Sequence, residues 1–373
     1  MPAIKLHKAI VHELMKEQHK PIAPNNMRKS VLDSENETVQ KLLSDIVAVY
    51  GNRENNAHYG TFLATGARGD FPSHYETYAD HGHAAAIDDS HFMGLAKCAM
   101  DELYRTANAQ PASSGGYIFV ADYSLSEKRY LIIAMIKQKP GMTINQALDP
   151  QELMRLDLDR LHQAARINFT KYFEYKSAND AEERKEINYL TFISPSKEIK
   201  TSGYFITALG CSAGNTSSRA TKAVIQETTA FFKSTEGLRC NSDAFRKALM
   251  EYLSEKEEKH QSVKLSEIGM LISKHIPTEL ADNSEALLDQ IIKKLNDEEV
   301  GVPAEFPVSK TELKKHTHIS GRAAHWRVEF DRDALGSTDA APIYYNEEQG
   351  TITFKDIPPE LQIVIEHELS QRK

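Results

Sequence analysis

The sequence predicts an α+β protein: an N-terminal domain with an antiparallel sheet and flanking helices, a mostly helical region, and a small C-terminal unit of strands and a helix. Three observations predict it. Val39, Leu42, Leu43, Ile46, Val47 and Tyr50 fall at helical spacing, as do Phe92, Leu95, Ala96, Ala99 and Leu103, and each set marks one apolar face. Gly115-Gly116 then opens a hairpin of two β-rich runs, Tyr117–Tyr123 and Arg129–Lys137, joined by Ser124-Leu125-Ser126-Glu127-Lys128. After Pro195 the periodicity turns helical and returns to strand only near Trp326. Hairpin strands that follow one another, with helices before and after, mark an antiparallel sheet.

Taken in order, Ile4, Leu6, Ile10 and Leu14 alternate loosely as a first strand, which Pro21, Pro24 and Asn25-Asn26 interrupt. The helix that begins near Ser34 ends at Gly51, a residue type that tolerates the left-handed conformation closing many helices. Residues 51–91 are polar, with several Gly and His, and predict a loop with short elements. A second helix runs from about Asp89 to Ala107. Leu156–Leu158, Ala165–Phe169 and Tyr189–Ile193 are further strands. Helices follow at 203–209, 217–234, 242–260, 264–275 and 284–296, with Ser242 and Ser284 as N-caps. The tail holds strands Trp326–Phe330, Ile343–Asn346 and Thr351–Phe354, then a helix that Pro358 and Pro359 start. The expected domains are 1–200, 201–300 and 301–373, with 201–373 alternatively a single domain.

Composition bounds the function. The chain has 373 residues, 40% of them hydrophobic and 26% charged, the balance of an ordinary globular protein. No apolar run approaches the roughly 18 residues a membrane helix needs, and the N-terminal residues carry Lys and His where an export signal needs an apolar core. Cys98, Cys211 and Cys240 are the only cysteines and lack C-x-x-C spacing, which points to a reducing cytoplasm rather than a disulfide scaffold or a cysteine zinc site. The net charge is −8, from 45 Lys+Arg against 53 Asp+Glu. A simple histone-like coat is usually basic, because phosphate neutralisation rewards each cation. Any nucleic-acid contact must therefore be a local patch.

Four segments carry candidate chemistry. Gly210-Cys211-Ser212-Ala213-Gly214 fits the G-x-S-x-G pattern of a serine nucleophile, which requires a strand, a strained turn and then a helix. The same glycines equally fit a helix-ending turn, with Ser212 in a polar connection. The helix that follows, 217–234, carries Arg219 and Lys222 near its start, a setting for phosphate at a helix N-terminus, and the loop before the 203–209 helix carries Lys197 and Lys200. His74, His81, His83, Asp88, Asp89 and His91 could ligate a metal, but without i, i+4 spacing they read as exposed histidines on a loop, and no metal or cofactor is expected. Finally, 310–327 holds Lys310, Lys314, Lys315, Arg322 and Arg327 against Glu312 alone. Ser309 and Glu312 make a capping box that opens a short helix, and Gly321 marks a break before the strand at Trp326. A basic helix, a glycine turn and an aromatic residue suit a phosphate track. The helices at 264–275 and 284–296 are separated by Pro277–Asn283, too long for a tight helix-turn-helix.

Blocks spread along the chain resemble the bacterial nucleoid-associated proteins of the NdpA/YejK type. They are Val49-Tyr50, Tyr59-Gly60-Thr61-Phe62, Gly115-Gly116-Tyr117-Ile118-Phe119, Tyr130–Met135, Ala165-Arg166-Ile167-Asn168, Tyr189-Leu190-Thr191-Phe192, Phe205–Gly210 with Ser212 and Gly214, and the strands ending at Phe330 and Phe354. The resemblance implies a cytoplasmic, nucleoid-associated, non-catalytic protein that binds double-stranded DNA, and it makes Ser212 a structural hallmark. The expected contacts are Lys197, Lys200, Arg219, Lys222, Lys310, Lys314, Lys315, Arg322 and Arg327, touching phosphates with limited sequence preference. The alternatives are an acidic adaptor docking onto a DNA-processing or defence complex, and a Ser212-dependent hydrolase. A homodimer is expected, from the apolar faces of Tyr204–Leu209 and Val224–Phe232, each of which must bury against another copy or the N-terminal domain. A DNA-processing protein is the further partner, and no membrane is involved.

Overall fold

A computed structural model of the chain describes residues 4–50, 57–64, 66, 68–84, 88–159, 161, 163–180, 184, 187–193, 204–214 and 217–372. It has the predicted α+β architecture. A seven-stranded antiparallel sheet is built from β1 (Ile4–Leu14), β2 (His58–Phe62), β3 (Gly116–Leu125), β4 (Lys128–Ile136), β7 (Gln163–Asn168), β8 (Leu190–Ile193) and β9 (Cys211–Ala213), in the order β1-β3-β4-β7-β8-β2-β9. Both faces of this sheet are covered, which is why β3 and β4 read as nearly unbroken apolar runs. Ile118, Val120, Leu131, Ile133 and Met135 pack on one face beneath α2 (Phe71–Ala84) and α3 (Asp89–Asn108). Phe119, Ala121, Tyr123, Ile132 and Ala134 pack on the other against Leu43 and Ile46 of α1 (Glu37–Val49). The alternation is the period-two signature of a strand. Gly115 lies where β3 passes the end of β1: a Cβ there would stand 1.8 Å from the Leu14 carbonyl oxygen.

Several expectations are corrected. Residues 71–84 form a helix rather than a loop, because Phe71, Tyr75, Tyr78 and Ala79 make a buried stripe among polar neighbours. The N-caps are Asn241 and Asn283, one residue before the serines named above. Phe169 starts α4 (Phe169–Ser177) instead of ending a strand, with the Asn168 side chain accepting from the Lys171 backbone N–H. Gly51, expected to close α1, lies outside the described residues. An unexpected hairpin, β5 (Gln138–Ile144) with β6 (Pro150–Leu156), projects from the sheet beyond β4, so Leu156 ends a strand rather than beginning one.

The second half packs separately. Helices α6 (Ser217–Ser234), α7 (Ser242–Glu258), α8 (Leu265–Lys274), α9 (Ser284–Leu295) and α10 (Lys310–Thr317) enclose a core in which Phe232 stacks on Phe245 with ring centroids 4.1 Å apart. A short strand pair, β10 (Ser262–Lys264) with β11 (Glu305–Pro307), closes it. The apolar face of α6 is buried here, while α5 (Tyr204–Ala208) joins the core of the sheet, so both faces that were expected to seek a partner are satisfied within the chain. A hairpin of β12 (His318–Arg322) and β13 (Arg327–Asp331) follows, then β14 (Leu335–Gly336), β15 (Ile343–Asn346), β16 (Thr351–Phe354) and α11 (Pro359–Gln371). Among the described residues no helix is long and apolar enough to cross a membrane.

The acidic run after α9 fastens the helical region to the sheet. Asn296 accepts from the Ala57 N–H (2.7 Å) and donates to the carbonyls of Ala57 (2.9 Å) and Val302 (2.7 Å). The Tyr59 hydroxyl donates to the Asn296 carbonyl at 2.7 Å. Glu298 is buried, receives a hydrogen bond from the Asn168 amide at 2.8 Å, and faces the Arg166 guanidinium at 3.5 Å and the Lys171 ammonium at 3.8 Å. Arg166 in turn lies over the rings of Tyr50 and Tyr130. Burial pushes the Lys171 pKa down, and Glu298 opposes that shift.

Beside this seam, on β2, His58 is buried, stacks on Phe192 and, among the described residues, leaves Nδ1 without a hydrogen-bond partner. Burial pushes its pKa down to about 4 from 6.5. A histidine whose folded pKa lies below its unfolded value binds fewer protons when folded, so its contribution to stability is complete above the unfolded pKa and is lost as pH falls through the folded one. Between pH 6.5 and 4 the unfolding free energy should drop at this site by about 3 kcal/mol, at about 1.4 per unit. Urea melts of wild type and His58→Phe across that window check this: the variant should lose much of the slope, and equal slopes contradict it.

Candidate nucleic-acid interface

Ser309 caps α10, its hydroxyl accepting from the Glu312 N–H at 3.4 Å. Only this half of the capping box forms, because the Ser309 N–H donates to the Thr221 hydroxyl at 3.0 Å and so stitches the start of α10 to the first turns of α6. Glu312 is instead drawn to Lys315 at 2.5 Å, and that ammonium holds its carboxyl below the usual range, with Lys222 adding to the effect.

The predicted contacts divide into groups. Lys310 pairs with Glu257 at 3.5 Å, Lys314 with Glu329 at 3.3 Å and Lys315 with Glu312. Lys314–Glu329 is exposed on both sides and so worth about 0–1 kcal/mol, which lets a phosphate replace that carboxylate cheaply, whereas Glu257 and Glu312 are largely buried and only their lysines are exposed. Lys222 is exposed beside them. Arg219 is turned away, donating to the Glu299 carbonyl at 2.6 Å and lying against Gly301, where it belongs to the seam with the sheet. Lys197 and Lys200 lie outside the described residues.

Arg322 and Arg327 differ from the three paired lysines. They are directly opposed across the β12–β13 hairpin, both are exposed, and among the described residues neither pairs with a carboxylate. The turn they flank is Ala323–Trp326, closed by the Ala323 N–H on the Trp326 carbonyl at 2.9 Å. Gly321 is therefore within β12 and not at the break, a correction to the sequence expectation. The Trp326 ring lies beside it: a Cβ at that position would stand 3.5 Å from Cζ3, an ordinary van der Waals contact, so the packing does not demand glycine there. From Leu313 to Val328 the chain contains no Asp or Glu. Two arginines unmarked in the sequence border the patch: Arg246 donates to the His316 carbonyl and Arg332 to the Lys315 carbonyl, each at 3.4 Å. Their signal was faint, since both sit outside the basic run and arrive by folding.

The other candidates are also placed. Ser212 is the middle residue of β9, paired with Thr61 on an antiparallel sheet. A nucleophile elbow would set it in a turn between strand and helix. Gly210, with φ +64°, ends α5, and a Cβ there would meet the Arg68 carbonyl oxygen at 2.2 Å. Cys211 is buried, and burial pushes its thiol far up. His74 lies in α2, and the rings of His81 and His91 stack at 4.0 Å with Asp88 beside His91 at 2.8 Å, so these residues belong to helices rather than to a loop. Among the described residues no three His, Cys, Asp or Glu side chains converge as metal ligands.

Comparison with known proteins bears on the whole chain. A family model described as nucleoid-associated protein YejK matches residues 10–362. The chain belongs to this family. It is 26% identical over 352 residues to a nucleoid-associated protein of Pseudomonas fluorescens, covering 94% of this chain and 96% of that one. A counterpart from Pseudomonas entomophila is 25% identical with the same coverage. One from Azotobacter vinelandii is 25% identical over 353 residues, covering 95% of each chain. The YejK-family match includes the sheet, the helical core and the β12–β13 hairpin together, so the basic tip stands within the region the family model spans.

Proposed function

We propose that this chain is a bacterial, nucleoid-associated, non-catalytic protein that binds double-stranded DNA through phosphates at the α10 and β12–β13 surface. One observation carries the proposal: Arg322 and Arg327 form an opposed, carboxylate-free pair at the tip of a hairpin. On a chain of net charge −8, such a concentration of positive charge is what a local polyanion contact requires. Family membership supports the nucleoid and the cytoplasm as its place. Titration of a labelled duplex with wild type and with Arg322→Gln/Arg327→Gln tests it; unchanged affinity would remove the site.

A second feature supports self-association. Pro140, Met142, Ile144, Pro150, Met154 and Leu156 share one face of the β5–β6 arm with Gln138 and Glu152, and all are exposed. A lone two-stranded hairpin is marginal in water. So is a lone 13-residue helix, yet no residue of α11 is buried, and Leu361, Val364, Ile365 and Leu369 form an exposed stripe on it. Two α11 helices would repel, since each carries Glu360, Glu366 and Glu368 and no Lys or Arg. The arm is neutral, with Lys139 and Arg155 balancing Asp149 and Glu152. The occupant of the arm's apolar face is thus α11 of a second copy, and two-fold pairing buries both elements twice. Sedimentation should give a dimer at micromolar concentration and a folded monomer for Met142→Asp/Met154→Asp. A wild-type monomer throughout that range contradicts this.

A further inference from the structure

The β12–β13 tip carries an aromatic plate as well as charge. Trp326 is the only tryptophan of the chain and is 57% exposed, although the ordinary place for so large an apolar ring is a core or an interface. Strand alternation puts Arg322 and Arg327 together on one face of the ribbon and Trp326 with Gly321 on the other. The ring lies beside Gly321, and more than half of the residue stays open to solvent. Only Ala324 and His325 separate the closing pair, so the two faces meet at an edge one strand thick. The acidic residues of the ribbon, Glu329 and Asp331, lie toward its base and face Lys314 and His318 at 3.3 and 3.1 Å. The tip segment itself, Gly321–Val328, contains no Asp or Glu.

We infer that the tip holds an unpaired nucleobase: Trp326 stacks on the base while Arg322 and Arg327 take the adjoining phosphates across the edge of the ribbon. The inference rests on the DNA-binding function proposed above and adds a preference to it. Phosphate contacts alone treat paired and unpaired DNA alike in kind, whereas an aromatic plate gains only from a base whose face is free. The expected target is therefore duplex DNA with a melted, mismatched or gapped segment, or a single strand, in preference to continuous duplex.

The test uses the full chain and two labelled probes, a continuous duplex and the same duplex with a central run of mismatches. Fluorescence anisotropy reads affinity, and emission excited beyond the tyrosine absorption reads Trp326 alone, there being no other tryptophan. The mismatched probe should bind about tenfold tighter, within the range that stacking one base on an aromatic ring supplies, and should quench the emission. Trp326→Ala should bring the two affinities together, while Trp326→Phe should keep most of the difference. Binding of both probes with unchanged tryptophan emission overturns the inference, leaves DNA binding standing and assigns the ring to a protein contact. Equal affinities in wild type overturn it as well. If neither probe binds, the DNA-binding function falls and the inference with it.

Discussion

Glu298→Ala is expected to cost about 3–5 kcal/mol of stability, the usual penalty for removing one partner of a buried ion pair. The carboxylate is held between Asn168, Arg166 and Lys171, so its loss leaves Arg166 and the Asn168 amide facing a cavity, while Lys171 keeps only its 2.9 Å bond to the Glu298 backbone carbonyl. Arg166 is anchored over Tyr50 and Tyr130 and cannot swing into water without abandoning both rings. Because Glu298 sits on the segment joining α9 to β11, the damage should fall on the seam between sheet and helical core. Denaturant unfolding should then separate into two transitions. A loss below about 1 kcal/mol, with a single transition retained, would show that the seam is held elsewhere.

Gly210→Val is expected to cost roughly 3–5 kcal/mol, combining strain at a left-handed backbone position with a clash against the Arg68 backbone. Ser212→Ala, two residues on, should stay within about 0.5 kcal/mol, as for a partly exposed strand residue without a special role. The contrast separates a structural loop from a catalytic one. Fluorophosphonate labelling that Ser212→Ala abolishes, at unchanged thermal stability, would overturn the structural account of this loop.

What could be read from the sequence was governed by local pattern. The apolar runs of β3 and β4 and the stripe of α3 declare themselves because their neighbours in the chain are their context. The stripe of α2 did not, since His74, Glu76, Asp80 and His81 interleave with Phe71, Tyr75 and Tyr78. The β5–β6 arm was obscured by Pro140, Gly141 and Pro150, residues that ordinarily argue against a strand but are tolerated at an exposed edge. Glu298 looked like one more acid flanking a helix. Its partners Arg166, Asn168 and Lys171 are remote in sequence, and only the fold makes it a buried ion-pair hub. The same holds for the basic surface: Lys310, Lys314, Lys315, Arg322 and Arg327 stand out together in the sequence, but which of them already face a carboxylate is a matter of three dimensions.

The central claim is that duplex DNA meets the chain through phosphates at the hairpin tip. The most direct measurement is the dependence of duplex affinity on salt for wild type and for Arg322→Gln/Arg327→Gln. Each lost phosphate contact removes roughly 0.9 from the log–log slope, so the double variant should be flatter by about 1.8, with a similar loss of affinity for unrelated sequences. An unchanged slope, or a loss confined to one DNA sequence, would contradict it.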